Sequence, residues 1–192
     1  MTKPQYEDSL TVRLATQHDA QALKRHRITC GLTDVNFSPR EQMVILATQG
    51  EAGGVIASMT VGLVNSKEDL NGFFGRQTVN PAEYPIVVTK DVCALGSGAM
   101  NALRLETVRA AGRLVAAESI SLEASIIHAR DLVGFGFGVN ALDVDRNLFS
   151  EIWVTVRLSR RRFLQSMTSL TANAAPFVWR GPPLFSEWLA SQ

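Results

Sequence analysis

Cysteine is scarce in this chain of 192 residues: there are two, Cys30 and Cys93, far apart and in no metal-ligand spacing such as C-x-x-C. That argues against a metal centre built on cysteines and against a disulfide framework. Cys93 falls in a stretch that reads as a buried strand, where cysteine is expected to serve as a small hydrophobe. Charge of one sign is missing too: 19 Lys and Arg stand against 18 Asp and Glu. Wholesale attraction to nucleic acid or to a membrane surface is therefore not expected. No apolar run is long enough to cross a bilayer. The opening M-T-K-P-Q-Y-E-D has no apolar core of a signal peptide. These absences together imply a cytoplasmic protein in a reducing compartment. What is abundant is apolar mass: 46% of residues are hydrophobic and 19% charged, enough for a sizeable core in one domain, or one domain with an extension.

The chain is organised around residues 84–117. Ile86 to Leu95 is rich in β-branched residues and reads as a strand, with Pro85 at its start. Gly96-Ser97-Gly98 breaks it. From Ala99 the apolar residues Leu103, Val108, Ala111, Leu114 and Val115 recur at helical spacing. The reading is strand, glycine turn, long helix, with Ser97 as the expected N-cap. A helix N-terminus of this kind offers free N–H groups and the positive end of the helix dipole, which suit a phosphate; a plain tight turn is the simpler use of the same glycines.

Around this unit, Leu10–Ala15 alternates as a first strand and a helix of about four turns follows Thr16. Strands are predicted at Met43–Thr48 and Val55–Val64, joined by a hairpin at residues 50–54. Residues 65–84 form a long connection, expected to be functional or partly helical. Further strands are predicted at Ser119–Ile127, Asn140–Asp145 and Glu151–Leu158, with a short helix over Ala129–Phe135. Residues 163–192 read as a C-terminal extension that packs on a 1–162 domain through its aromatics. Seven strands with early hairpins and late crossovers make an α/β chain of mixed strand direction.

Three pieces of this order carry a family resemblance: L-T-V-R-L-A-T-x-x-D-A-x-A-L at the start, the central strand followed by G-S-G-A-M, and A-R-D-L-V-G-F-G-F ending in Gly136-Phe137. Over residues 10–158 the chain resembles the GNAT N-acyltransferases. The resemblance implies a mixed, mostly antiparallel central sheet flanked by helices. Two departures point to a divergent branch: the usual Q/R-x-x-G-x-G/A loop is compressed to Leu95–Ala99, and Leu132 stands where acetyl transferases often carry a tyrosine. Arg25-His26-Arg27-Ile28 looks like the R-Y-R-V-F signature of the acyl-homoserine lactone and long-chain N-acyl amino acid synthases. The lactone synthases' later Glu-x-x-Arg pair is lacking, which favours the N-acyl amino acid synthases, of the kind that makes N-acyl tyrosine.

That resemblance implies transfer of a fatty acyl group from the phosphopantetheine of an acyl carrier protein to an amino acid amine, with no permanently bound cofactor and no metal. A coenzyme A thioester donor, or a silent module that only binds an acyl ligand, are the alternatives. The anchor for the donor phosphate would be the N–H groups of Ser97, Gly98, Ala99 and Met100, with Arg104 in reach or simply solvated. The oxyanion would be held by a central-strand N–H among Cys93, Ala94 and Leu95. Asp91, Glu123 and His128 are the candidate bases; Asp91 and Glu123 lie in apolar strands, where a carboxylate must be paired or face a cleft, and a structural ion pair is the other use. Alternation puts Thr89, Asp91 and Cys93 on one strand face. An apolar tunnel would draw on Met59, Val61, Leu63, Phe73, Phe74, Phe177 and Trp179. Arg25, Arg27 and Asp34 belong to the implied substrate-covering region, with Phe73 and Phe74. An acidic carrier protein needs a basic dock, for which Arg109, Arg113, Arg157, Arg160, Arg161 and Arg162 are the candidates; a solvated face is the ordinary use of such a run.

Overall fold

The structure, a computed structural model, describes residues 9–32, 35–50, 53–75, 84–114, 119–123, 132–143 and 153–190. Strand β1 (Leu10–Leu14) leads into α1 (Ala20–Thr29) through a turn pinned by Asp19. The Asp19 carboxylate accepts from the Thr16 N–H at 2.7 Å and grips the Arg13 guanidinium with two bonds of 2.7 and 2.8 Å. The hairpin β2 (Met43–Gln49) and β3 (Val55–Val64) follows. In the long connection after it lies α2 (Lys67–Phe74), capped by the Ser66 hydroxyl and closed by Gly75 at φ 68°. The central strand is β4 (Ile86–Ala94), and α3 (Ser97–Arg113) leaves it directly.

The later chain supplies β5 (Ser119–Glu123), β6 (Gly138–Asp143), β7 (Trp153–Leu158), α4 (Phe163–Asn173), β8 (Phe177–Arg180) and α5 (Ser186–Ala190). The eight strands among the described residues join one sheet, ordered β6-β7-β5-β4-β3-β2-β1-β8. Only β1 with β8 and β4 with β5 run parallel; the other neighbours are antiparallel. This is the mixed, mostly antiparallel sheet expected from the sequence.

Two differences from the sequence reading have local causes. Ser97 does not cap α3: Gly96, in an extended conformation, is the N-cap and Ser97 is the first helical residue. The C-terminal extension contributes an eighth strand. Its four residues alternate, with Phe177 and Trp179 half-buried and Val178 and Arg180 exposed, and the Leu10 N–H donates to Pro176 O at 2.8 Å to start the pairing.

Helix α3 is buried on nearly every side because layers cover it from two directions. Ala102, Leu103, Ala110 and Ala111 pack on the sheet with Val12, Ile45 and Met59. Leu105 and Val108 meet Leu170 of α4, with Phe137, Val156 and Leu158 beside them. The opposite sheet face carries α1 and α2, where Val64, Leu70, Ile86 and Val88 form a smaller cluster with Phe73, Phe74 and Tyr84. Gly62 of β3 makes room there: a Cβ would stand 2.7 Å from the Phe73 ring.

Candidate active site

Strands β4 and β5 pair only at Val87–Ser119, Val88–Ile120 and Thr89–Ser121, although β4 continues to Ala94 and β5 to Glu123. Beyond Thr89 the two part, and a gap opens in the sheet plane. Leu95 donates its N–H to Ile56 O of β3 at 2.8 Å. Alternation then turns the preceding N–H, that of Ala94, toward the β5 side and the gap. Of the three positions expected to hold an oxyanion donor, the geometry singles out Ala94.

The gap opens on a cavity of about 670 Å³ at the N-terminus of α3, lined by Ala94, Leu95, Ser97, Arg104, Phe135 and Asn173 among others. No side chain caps this terminus, so its first-turn N–H groups and the positive end of the dipole face the cavity. Met100 is withdrawn from the expected donor set: its N–H already closes the first helical turn on Gly96 O at 3.2 Å, although its side chain lines the cavity. Ser97, Gly98 and Ala99 remain. Gly98 is needed for close approach, since a Cβ there would lie 3.2 Å from Ala175 Cβ, and Gly98 O accepts from the Ala175 N–H at 3.0 Å. Arg104 is 7% exposed and lines the cavity wall, so it is no solvated surface residue. Asn101 braces that wall by donating to Asn173 O at 3.3 Å. These neutral groups carried no signal in the sequence beyond helical spacing.

Strand β4 does not alternate as expected. The β3–β4 register slips between Ser58 and Thr60, and Asp91 sits at φ 51°, in the left-handed region. Val87 and Val92 pack toward α3, whereas Lys90 and Cys93 point to the α1–α2 face. Alternation from Val87 puts Thr89 on the α3 face, away from Asp91 and Cys93, because the extra residue of the bulge reverses the parity. Asp91 Oδ2 accepts from the Thr60 hydroxyl at 3.2 Å, and Thr60 Oγ1 accepts from Arg27 Nη2 at 3.0 Å. Arg27 is fully buried and also donates to Asn36 O at 3.1 Å. It is thus a positioning group under the bulge and no part of a surface cover; its neighbour Arg25 is exposed.

The oxyanion role expected of Cys93 is excluded because alternation turns its N–H toward β3. Separately, Cys93 and Cys30 are joined as a disulfide across 63 residues, which corrects the expected reduced state. The cause is topological: Cys30 follows the last turn of α1, which lies on β3 and β4. His26, one turn earlier, places Nε2 3.0 Å from Cys93 Sγ. Burial holds the His26 pKa below its ordinary value, and the charge of Arg27 adds to that. Among the described residues, His26, Cys30 and Cys93 are the group whose ligand atoms converge, within 4.8 Å. With both sulfurs spent in the disulfide, the triad offers a cation little beyond one ring nitrogen.

The other expected site residues are dispersed. Glu123 ends β5, and its side chain lies outside the described residues, as do Asp34 and His128 entirely. Phe73 and Phe74 belong to the α2-face cluster, but Met59, Val61, Phe177 and Trp179 pack on the α3 face. Three of the expected tunnel residues, Val61, Leu63 and Phe73, nevertheless border one second cavity of about 530 Å³, with Thr60, Gly62 and Lys90; Met59, Phe74, Phe177 and Trp179 do not line it, and the Lys90 ammonium donates to Phe73 O at 2.7 Å. Arg113 and Arg109 both engage Glu106, at 2.9 and 3.7 Å; Arg109 also lies over the Phe177 ring. Glu106, a nearly buried carboxylate, was not singled out from the sequence. Arg161 and Arg162 are exposed on the turn before α4, Arg157 is half-buried on β7, and the side chain of Arg160 lies outside the described residues.

No protein-family model and no curated protein matches the chain by sequence. Solved structures match it by shape. Arabidopsis thaliana Naa50, in complex with the bisubstrate analogue CoA-Ac-MVNAL, superposes with a TM-score of 0.57 at 11% identity over 79% of this chain and 99% of its own. A CoA-dependent acyl-homoserine lactone synthase, BjaI, with SAM and isopentyl-CoA, gives 0.56 at 13% identity over 95% of this chain and 99% of its own. Arabidopsis thaliana NAA60 with acetyl-CoA gives 0.56 at 12% identity over 78% and 98%. The chain has the GNAT fold. Within this fold, the parted strands, the uncapped α3 terminus and the first cavity form one continuous site. The disulfide and the Arg27–Thr60–Asp91 chain lie on the opposite face of β4.

Proposed function

We propose that the chain is an N-acyltransferase that moves a long fatty acyl group from the phosphopantetheine of an acyl carrier protein to the amine of an amino acid, tyrosine being the acceptor the sequence resemblance suggests. The observation that carries the acyl-transfer reading is the donor end: Ala94, Gly96, Ser97 and Arg104 line one cavity of about 670 Å³ at the uncapped N-terminus of α3, where β4 and β5 part. Ser97, Gly98 and Ala99 hold the donor phosphate, with Arg104 adding charge from the wall. The Ala94 N–H stabilises the oxyanion as the amine attacks the thioester carbonyl. Collapse of the tetrahedral adduct forms the amide and releases the pantetheine thiol. The acceptor amine enters the gap from the α1–α2 face of β4, the acceptor face, and its proton leaves through a water to Asp91, whose carboxylate is fixed there by the Thr60 hydroxyl. The synthase-like branch, as against plain acetyl transfer, is supported by the extent of the match to the lactone synthase, 95% of this chain against 79% for Naa50.

A second reading keeps the chemistry and changes the donor to a coenzyme A thioester. Two observations favour it. Arg109 and Arg113, part of the expected carrier dock, are engaged with Glu106. The matched structures named above were solved with coenzyme A compounds. Mass spectrometry of lipid extracts from a bacterial host expressing the chain tests the shared chemistry: new N-acyl amino acids are expected, and their masses name chain and acceptor. Purified protein offered acyl carrier thioester and acyl-CoA side by side then separates the donors. Well-folded protein that yields no amide from either donor refutes both readings.

A further inference from the structure

The sulfur pair plays no part in the donor cavity, yet it sits one residue from the proposed oxyanion donor. Cys93 is 3% exposed, whereas Cys30 is half-buried, so one sulfur of the bond is approachable and the other is not. Their Cα atoms are 5.9 Å apart. The buried side is furnished with an imidazole: His26 Nε2 is 3.0 Å from Cys93 Sγ, 3.4 Å from Cys93 O and 4.0 Å from Cys30 Sγ. A cross-link serving only to hold two elements together gains nothing from such a ring, whose burial costs desolvation. An exchanging pair does gain from it, because the departing sulfur needs a proton.

We propose that Cys30, Cys93 and His26 form a reversible thiol–disulfide site whose co-substrate is a dithiol, and that its state adjusts the acyl-transfer site from the far face of the sheet. A thiolate of the dithiol attacks Cys30 Sγ. The Cys30–Cys93 bond breaks, a mixed disulfide forms, and the electron pair leaves with Cys93, which takes a proton through His26. The second thiol of the dithiol then attacks its own sulfur in the mixed disulfide and frees Cys30. Two electrons and two protons have moved from the dithiol to the protein, and the dithiol has become a cyclic disulfide. The reverse sequence, with an oxidised dithiol, restores the bond. Reduction unties the end of α1 from β4, and α1 carries Arg27, which reaches Asp91 through Thr60. That last link rests on the acyltransferase reading.

The test uses the intact chain without denaturant. It is incubated with dithiothreitol, quenched with a maleimide of known mass and weighed by mass spectrometry. The expected result is two labels gained together, and lost again after treatment with oxidised dithiothreitol. His26→Gln is expected to slow both directions roughly tenfold or more while the oxidised variant melts with the wild type. Labels that appear only once the chain unfolds, or His26→Gln exchange at the wild-type rate, would overturn the proposal. Label counting needs no acyl donor, so it fails independently of the acyltransferase reading. Where amide forms, the acceptor KM is expected to differ about fivefold or more between the two states; equal values overturn the coupling.

Discussion

Replacing Thr60 by valine tests the buried chain from Arg27 to Asp91. Valine keeps the shape and removes one hydroxyl that makes two bonds, accepting from Arg27 at 3.0 Å and donating to Asp91 at 3.2 Å. Bonds to charged groups contribute about 1.5–3 kcal/mol each. The Arg27 bond belongs at the upper end, because that side chain is fully buried and water cannot replace the oxygen. The Asp91 bond belongs at or below the lower end, since a half-buried carboxylate is readily rehydrated. Against these stands the extra buried methyl of valine, about 0.8 kcal/mol. The net expectation is a loss of about 3 kcal/mol, which in urea, at about 2 kcal/mol per molar, lowers the unfolding midpoint by about 1.5 M. Thr60→Ser keeps the hydroxyl and removes only the methyl, for about 1 kcal/mol. Urea unfolding of the two variants side by side is the assay. A Thr60→Val midpoint at or above that of Thr60→Ser would show that the hydroxyl bridges nothing of consequence.

Three further outcomes follow from particular contacts. Reducing the disulfide, which closes 63 residues, should cost about 4 kcal/mol by the loop-entropy estimate, and calorimetry should find the melting temperature roughly 8–16 °C lower. Acid should destabilise in two steps. His26, held below its ordinary pKa by burial, makes the unfolded chain bind a proton that the folded chain resists, so stability falls as pH drops below about 6.5. Asp19, lowered to about 2 by its bond to Arg13, adds stability that is complete above its unfolded pKa and lost as pH falls from about 4 to 2; solvent screening holds this to about 1 kcal/mol. Asp19→Asn, followed by fluorescence against pH, should remove the second step alone. Reversing the charge of Arg160, Arg161 and Arg162 should raise the KM for acyl carrier protein and leave stability within about 0.5 kcal/mol; unchanged KM would remove these residues from the dock.

The fold was legible because its signals are local. β3 was read to the residue, since the glycines before it and the polar Asn65-Ser66 after it punctuate a β-branched run. The break at Gly96–Gly98 between β4 and α3 was legible for the same reason. The acceptor face was not. A bulge at Asp91 needs no residue of special type in the strand, so strict alternation misassigned Thr89. Arg27 was placed in a substrate cover and Glu106 was not singled out, because helical position alone says nothing of what later segments pack over them. The union of Cys30 with Cys93 depends on where α1 crosses β4, which no spacing in the sequence encodes. Phe177 and Trp179 showed their alternation, but four residues between Pro176 and Gly181 were too short a run to claim a strand.

The pairing of β1 with β8 has a bearing on how the protein is made. β1 is the earliest strand of the sheet to leave the ribosome, and its outer edge meets its parallel partner only when residues 177–180 have followed. Until those residues have emerged, that edge, with Leu10 and Val12 on its inner face, is an open invitation to other chains. A ribosome-bound intermediate halted before Phe177 would therefore be the species most in need of a chaperone, and a short peptide spanning Pro176–Arg180, supplied in trans, would be its natural protector.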